Sequence, residues 1–371
     1  MARVSRARAI SDILAAIAAR APFERAAEWD PVGLVLGDPS VQVRRIAVCH
    51  EVTEAVVAAL ESDPVDLLVA YHPLLFQPTQ RLIAGPTAEG RALRLARAGI
   101  ALGIVHTNFD VAPGGTSDAL ADALQLADVE GFGAVFGAPA KKLVTFVPPA
   151  AADAVLAAVA AAGAASIGNY THCSFRAEGT GTFFAGEGSA PRAGKRGELS
   201  VEPEVRLEFL VPLAREVETI RALVRTHPYE EPAFDLIERR GEAHLAGRIG
   251  KLDAETSLAE LADGVAEALR GPTPRVAGTP DRRVRRVAVA PGSGEDLLDA
   301  ARDAGADVLV TGDLRHHSTR RALDGGLASI DAGHAATERP GVERLLALVA
   351  AQGLETVGLL DLDCDPWLPG D

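Results

Sequence analysis

The first third of the chain alternates short apolar runs with stretches of helical periodicity. Residues 45–50 and 66–70 are mostly apolar without a polar alternation, which is typical of strands buried on both faces of a parallel sheet. Residues 51–60 and 87–98 have the spacing of helices, and residues 102–105 form a third apolar run. This order predicts a β-α-β-α-β arrangement.

The last third of the chain repeats this pattern. Residues 43–48 read VRRIAV and residues 284–289 read VRRVAV, while residues 66–70 read DLLVA and residues 307–311 read DVLVT. The interval between matching positions is the same in both pairs. We therefore predict two copies of one β-α-β unit, although two generic α/β segments could share so short a motif by chance.

The block between the two copies has a different character. Its predicted elements follow the order β-α-β-β-α-β, which is the ferredoxin-like pattern. They are a strand at 142–147, a helix at 151–162, a Gly-rich stretch at 179–197, a strand at 205–211, a helix at 217–225 and a strand at 233–237. The predicted fold class is α/β: two pseudo-repeated halves, residues 1–135 and 245–371, form one α/β/α domain, and residues 140–240 form an inserted α+β domain.

Composition narrows the functional classes. The formal net charge of −14 argues against a nucleic-acid or anionic-membrane partner, because both require basic surfaces. The three cysteines, Cys49, Cys173 and Cys364, form no CxxC pair, so we expect neither a thiolate zinc site nor a disulfide framework. This cysteine content fits a protein of the reducing cytoplasm. No apolar run approaches the roughly 20 residues needed to cross a bilayer.

Two predicted strands lead into a histidine that is followed four positions later by a carboxylate. The pairs are His106 with Asp110 and His334 with Glu338, and His72 follows another strand. Imidazole and carboxylate together suit divalent ions, and strand ends are where an α/β sheet presents ligands. One such pair is weak support for a site, but its repetition in both halves predicts a shared metal site at one edge of the sheet.

Other polar motifs can be interpreted either as structural or as functional. Residues 291–294 (PGSG) favour a plain strand-to-helix turn over a phosphate loop, because they lack the GxGxxG or Walker spacing. His317, or its neighbour His316, is either a helix-start residue or a general acid near the cleft. His227 with Glu230 and Glu231, and His172 beside Cys173, favour structural roles, while His50 and His244 receive no assignment.

Long segments of the chain resemble the GTP cyclohydrolase 1 type 2 homologues, also called NIF-three-like proteins. The segments that carry the resemblance are WDPVGL at 29–34, YHPLLF at 71–76, HTNFD at 106–110 and GHAATE at 333–338, together with GNYTHCSF at 168–175, GTGTF at 179–183 and HPYEEP at 227–232 in the inserted block. The last three are similar to the family's optional inserted module, of the PII and CutA type.

The resemblance implies two divalent ions per chain, of zinc, manganese, iron or cobalt, in a ring-shaped homohexamer (a trimer of dimers) capped by the inserted modules. His72 and Asp110 would bind the first ion and His334 the second, and Glu338 would bridge them. His106 would lie beside the ions as a further ligand or as an orienting group. Glu338, His106 and His317 are then the candidate catalytic residues.

Two positions depart from the family pattern. Tyr71 stands where much of the family has a histidine, and Pro31 stands where an asparagine is usual. Tyr71 could bind as a phenolate, hydrogen-bond to a water on the ion, or leave the second site weak, because an ordinary phenol pKa of about 10 makes it a poor ligand. Pro31 leaves the role of Asp30 open.

Three functions remain open at this point. The leading interpretation is a metal-dependent hydrolase that acts on GTP, another nucleotide or a phosphoester, since two neighbouring ions activate water. The second is a non-catalytic metal-binding or ligand-sensing assembly, and the third is an adaptor for protein partners. The GTP assignment rests on the family name alone.

Overall fold

The structure is a computed structural model. It describes residues 7–136, 140–167, 170–189, 191–192, 194–212, 215–238, 243–360, 362 and 365–367. Cys364, residues 168–169 of the GNYTHCSF segment and residue 240, where the inserted domain was predicted to end, lie outside these ranges.

The chain divides into two compact units. Residues 1–135 and 244–371 form the first unit, and residues 136–243 form the second.

The first part of the first unit contains seven strands and five helices among its described residues. In chain order they are β1 (Arg8–Ala9), α1 (Ile10–Ala18), β2 (Gly33–Leu36), β3 (Gln42–Val43), β4 (Arg45–Cys49), α2 (Glu54–Ser62), β5 (Leu67–Ala70), α3 (Ala88–Arg97), β6 (Ala101–Ile104), α4 (Thr107–Asp110), α5 (Thr116–Ala123) and β7 (Ala127–Phe136).

The second unit contains β8 (Ala140–Val147), α6 (Ala152–Ala161), β9 (Ser174–Phe184), β10 (Leu199–Pro212), α7 (Glu216–Thr226) and β11 (Phe234–Glu238). These strands form one antiparallel sheet in the order β11-β8-β10-β9. The element order agrees with the β-α-β-β-α-β order that the sequence predicts. The name ferredoxin-like for this unit stays a prediction.

The remainder of the first unit returns to alternating strands and helices. Its elements are β12 (Ala243–Ser257), α8 (Leu258–Leu269), β13 (Arg275–Ala277), β14 (Arg283–Ser293), α9 (Leu298–Asp303), β15 (Val308–Gly312), α10 (His316–Asp324), β16 (Ala328–Asp331), α11 (His334–Ala350) and β17 (Glu355–Leu359).

The first unit has two mixed sheets. The five-stranded sheet has the order β17-β4-β5-β6-β2, in which only β2 is antiparallel to its neighbour. The six-stranded sheet has the order β13-β16-β15-β14-β12-β7, with β14, β15 and β16 parallel. Both contain the predicted β-α-β repeat, as β4-α2-β5 and β14-α9-β15. The α/β fold class is thus confirmed.

The apolar runs of the repeat are buried on both faces of their sheets. Every residue of β5 is buried, and the same holds for β15. On one face of the five-stranded sheet, α1 and α11 contribute the apolar side chains of Ile13, Ile17 and Leu345 to a common core. This two-sided burial explains why the strands read as continuous apolar runs rather than as alternating ones.

One prediction about the sheets is wrong. The sequence predicted that all the candidate ligands share one edge of a single sheet, but His72 and His106 follow strands of the five-stranded sheet whereas His334 follows β16 of the six-stranded sheet. The two β-α-β repeats do not pair with each other. Instead β17, from the second half, pairs with β4 of the first repeat, and β12 pairs with β14 of the second repeat.

In the part of the chain that the structure describes, none of the helices has the length and apolar character that a membrane crossing requires.

Candidate metal centre

Three histidines follow three neighbouring parallel strands. His50 directly follows β4, and His72 and His106 lie two positions beyond β5 and β6. Because the carboxyl ends of parallel strands meet at one edge, the imidazoles line up there. The ring centroids of His50 and His72 are 4.8 Å apart, and those of His72 and His106 are 5.1 Å apart.

The second half supplies a carboxylate from a helix. His334 and Glu338 lie in the first turns of α11, and their spacing of four residues brings both side chains to one face. His334 Nε2 lies 3.1 Å from Glu338 Oε1. Glu338 is only 4% exposed, so this carboxylate requires compensating partners.

The other oxygen of Glu338 meets the histidines of the first half. His50 Nε2 lies 2.7 Å from Glu338 Oε2, and His72 Nε2 lies 3.1 Å from the same oxygen. His50, His72 and Glu338 each offer a ligand atom, and these atoms all lie within 4.8 Å of one another. We call these three residues the donor group.

The donor group suits a divalent ion. Two imidazole nitrogens and a carboxylate oxygen are ligands for ions such as zinc, manganese or iron. The backbone opposite the carboxylate is also shaped for it: Gly292 has a φ of +62°, and a Cβ there would overlap Glu338 Oε1 and lie 3.3 Å from His334 Nε2. Residues 291–293, predicted as part of a strand-to-helix turn, belong to the end of β14, and Gly292 leaves room there for the site.

Three of the histidines also contact a carboxylate through Nδ1. The distances are 3.0 Å from His72 to Glu51 Oε1, 2.6 Å from His334 to Asp313 Oδ2 and 3.1 Å from His106 to Asp30 Oδ2. The contacts of His72 and His334 are hydrogen bonds, and a carboxylate bonded to Nδ1 fixes the ring orientation and directs Nε2 towards a ligand position, as in many metal sites.

The charges of the donor group and of the neighbouring residues shift one another's pKa values. Burial alone would raise the pKa of the Glu338 carboxyl, but the surrounding imidazoles outweigh it and hold this pKa well below its usual value. Burial would lower the pKa of His334, but Glu338 and Asp313 outweigh it and raise this pKa to about 9. Glu338 and Glu51 likewise raise the pKa of His72. The cluster thus holds an anionic carboxylate that attracts positive charge.

Tyr71 and Asp110 form a separate contact beside the donor group. Tyr71 is fully buried, and its hydroxyl donates a hydrogen bond to Asp110 Oδ1. Burial, together with the charges of Asp110 and Glu338, raises the pKa of Tyr71 well above its usual value. This arrangement argues against the phenolate among the alternatives for Tyr71, because a phenolate would face two carboxylates.

The structure does not bring all the predicted site residues into the donor group. His72 and Glu338 belong to it, His334 contacts its carboxylate, and His106 lies beside it. His317 is exposed at the start of α10, and among the described residues its only ring contact is with His316, at 5.2 Å. The catalytic role of His317 stays a prediction.

Sequence reasoning gave no role to four residues of the site. It left His50 unassigned and the role of Asp30 open, and it did not consider Glu51 and Asp313. His50, Glu51 and Asp313 all lie within two residues of a strand end, at Cys49 or Gly312. The same strand-end signal that identified His72 could have identified these three, whereas Asp30 lies in a loop and gave no such signal.

A family model described as Duf34/NIF3 (NGG1p interacting factor 3) matches residues 8–362 of the chain. A protein of Halalkalibacterium halodurans named GTP cyclohydrolase 1 type 2 homolog is 38% identical over 316 residues, which is 84% of this chain and 85% of that protein. A protein of the same name from Mycobacterium tuberculosis is 38% identical over 338 residues, 89% of this chain and 88% of that protein.

Solved structures show the same similarity. A Bacillus cereus protein described as related to NIF3 is 35% identical, with a TM-score of 0.64, over 97% of this chain and 99% of that one. A Staphylococcus aureus protein is 25% identical, with a TM-score of 0.65, over 97% of this chain and 98% of that one.

Proposed function

The chain belongs to the Duf34/NIF3 family, and from that premise we propose that it is a hydrolase that depends on two divalent metal ions and acts on a nucleotide or a related small phosphorylated compound. The observation that carries this proposal is the donor group of His50, His72 and Glu338, with His334 on the second oxygen of Glu338.

The arrangement around Glu338 supports a centre with more than one ion. Oε2 faces His50 and His72, while Oε1 faces His334, so each oxygen has its own imidazole partners. Bound ions would supply positive charge for a phosphoryl group and activate a water molecule. A chain with a net charge of −14 needs such a local positive charge to hold a phosphorylated ligand.

The residues of the chain would hold and orient this centre. Glu51 and Asp313 fix the rings of His72 and His334 through Nδ1. His106 is 8% exposed and lies beside His72, and its Nδ1 lies next to Asp30. This places His106 where it can exchange a proton with a ligand through Nε2.

GTP is the first substrate to test. Relatives from several bacteria carry the name GTP cyclohydrolase 1 type 2 homolog, and their identity to this chain reaches 38%. Opening of a purine ring and cleavage of a phosphoester are both hydrolyses that metal-activated water can perform.

The test combines metal content with turnover. Protein purified without chelator is analysed by mass spectrometry of its metals and then assayed with GTP and other nucleotides. We expect about two ions per chain and turnover that needs them, and Glu338→Gln should lose both. Glu343→Gln is the matched control, because Glu343 lies on the same helix and is exposed. Absence of bound ions in the native protein would refute the proposal.

A metal-dependent ligand sensor is the second candidate function. The second unit contains a pocket with a volume of about 820 Å³. The residues that line it include Phe146, Phe183, Glu204, Arg206 and Tyr229. Tight metal binding without turnover on any nucleotide, together with ligand binding by this unit, would favour the sensor over the hydrolase.

The homohexamer belongs to the same proposal. Light scattering of the native protein should then give six times the 38.6 kDa of one chain. The cytoplasmic location, expected from the cysteine content, stays a prediction.

A further inference from the structure

Two large aromatic side chains are exposed beside the candidate metal centre. Trp29 is 60% exposed and Phe76 is 49% exposed, although aromatic residues make up only 4% of the chain. Their ring centroids lie 6.4 Å apart with an angle of 27° between the planes. Single exposed apolar residues are common on proteins, but two stacked aromatic rings at the rim of a polar cluster suggest a binding surface.

Both rings contact the ring of His106, which lies beside the donor group. The centroid of His106 lies 6.0 Å from that of Trp29 and 6.3 Å from that of Phe76, and both pairs meet edge to face. The ring of His106 is in turn 5.1 Å from that of His72, which belongs to the donor group. A ligand on the aromatic pair would therefore lie one imidazole away from the donor group.

The backbone holds this surface in place. Trp29 precedes Asp30, whose Oδ2 accepts a hydrogen bond of 3.0 Å from the Thr107 amide next to His106. Phe76 follows His72 by four residues in the segment after β5. The residues that position the imidazoles thus also position the two rings, so the aromatic pair belongs to the same site.

We propose that Trp29 and Phe76 form a subsite that stacks a planar heteroaromatic ring of the substrate, of the nucleobase class. The inference rests on the proposed function, since it names the part of the substrate that the site would recognise. Every base offers a π-face to an aromatic side chain, and removing one such stack weakens binding about 5- to 150-fold. An aliphatic phosphate or a sugar phosphate, which has no aromatic ring, would not stack on this surface.

The test follows Trp29 fluorescence in the full-length, metal-loaded protein. The chain has only two tryptophans, Trp29 and Trp367, so a Trp367→Phe background isolates the signal of Trp29. Guanosine 5′-monophosphate is titrated as a probe with a base, and ribose 5-phosphate as a probe with the same phosphate and no base. We expect saturable quenching by the first probe and none by the second.

Variants of Phe76 test the second ring. Phe76→Ala should weaken guanosine 5′-monophosphate binding about 5- to 150-fold, whereas Phe76→Tyr, which keeps the ring, should preserve it. Phe175→Ala is the matched control, because Phe175 is also exposed (63%) but lies on β9 of the second unit. Ribose 5-phosphate affinity, measured by isothermal titration calorimetry because this probe should not quench Trp29, should be the same in all variants.

The outcomes separate this inference from the proposed function. Bound ions without base-dependent quenching, or equal nucleotide affinity in Phe76→Ala and native protein, would overturn the inference alone. A change of molecular mass in Phe76→Ala without any effect on nucleotide binding would also overturn it, because the rings would then be a subunit contact. A protein that binds no ion but still shows base-dependent quenching would refute the proposed function and retain the aromatic subsite.

Discussion

Position 71 is where a single residue changes the candidate centre. The family resemblance expects a histidine there, but the chain has Tyr71, whose hydroxyl is bonded to Asp110. His50 lies against it, with ring centroids 5.6 Å apart, and His50 Nε2 reaches Glu338 at 2.7 Å. An imidazole from the end of β4 thus lies close to the position of the one that is missing after β5.

We expect His50→Ala to weaken metal binding by more than about a hundredfold, because partners that merely support a ligand already contribute about 10- to 100-fold. Competition with a coloured chelator measures the affinity, and the visible spectrum of the cobalt-loaded protein reports on nitrogen ligands. His316→Ala, on the exposed start of α10, is the control. Unchanged affinity and an unchanged cobalt spectrum in His50→Ala would contradict the prediction.

We expect Tyr71→His to tighten the second ion by about tenfold or more, since it adds an imidazole beside the donor group. Tyr71→Phe separates this effect from loss of the hydroxyl, because it removes the bond to Asp110 without adding a ligand. Metal affinity is measured for all three proteins by the same chelator competition. Equal affinity in the native protein and Tyr71→His would show that position 71 has no part in ion binding.

At the scale of elements, the second unit contains a histidine that links α7 to β8. His227, at the end of α7, is buried; its Nε2 donates to the Phe146 carbonyl at 3.0 Å, and its Nδ1 accepts from the Tyr229 amide at 3.1 Å. This pattern requires the neutral imidazole, because a proton on Nδ1 would face the amide proton. The structural interpretation of the HPYEEP segment agrees with these bonds.

The stability of the second unit should fall in mild acid. Burial lowers the pKa of His227 below its ordinary value of 6.5, although the Phe146 carbonyl and Glu204 offset part of this. The folded state therefore binds the proton of His227 less well than the unfolded state. The contribution of neutral His227 to the free energy of unfolding is complete above the pKa of the unfolded state and is lost as the pH falls through the pKa of the folded state. Loss of the bond from Tyr229 alone would cost about 1 kcal/mol.

Urea unfolding between pH 8 and pH 5 measures this dependence. His227→Gln should be less stable than the native protein at pH 8 and should lose less stability on acidification, because glutamine does not titrate. His172→Gln is the control, since His172 is exposed in the same unit. A native protein whose unfolding free energy is constant over this range would contradict the prediction.

At the scale of the whole molecule, the residues of the candidate centre all belong to the first unit, on both sides of the inserted block. His50, His72 and His106 precede the second unit, and His334 and Glu338 follow it. The strands at its borders, β7 and β12, are neighbours in the six-stranded sheet. A short turn could therefore join them in place of residues 136–243.

We expect a chain in which a short Gly-Ser linker replaces residues 136–243 to keep its full metal content, because every donor remains. Mass spectrometry of the metals gives the ion count, and circular dichroism checks that the unit is folded. The same excision with His334→Ala should lose ions. A folded but metal-free excision variant would mean that the second unit contributes to ion binding.

The strands and helices of the repeat are encoded locally in the sequence. A strand that is buried on both faces is apolar at most positions, and this is why strands could be predicted from the sequence at 45–50, 66–70 and 307–311, within one residue of β4, β5 and β15. The same local logic identified His72, His106 and His334, since each lies two or three residues beyond the end of a strand. Recognition of the family rested on segments of this kind, and the family match confirms it.

Only the tertiary structure decided which of these residues meet. His50 and Glu338 are 288 positions apart in the chain, and no periodicity links them. Their contact depends on how the end of β4, in the five-stranded sheet, faces α11, which follows β16 of the six-stranded sheet. The space for the contact depends on Gly292, which lies on β14. Local hydrophobic pattern determines the elements, because burial acts on each segment separately. The composition of the site depends on packing between segments, which the pattern of a single segment does not contain.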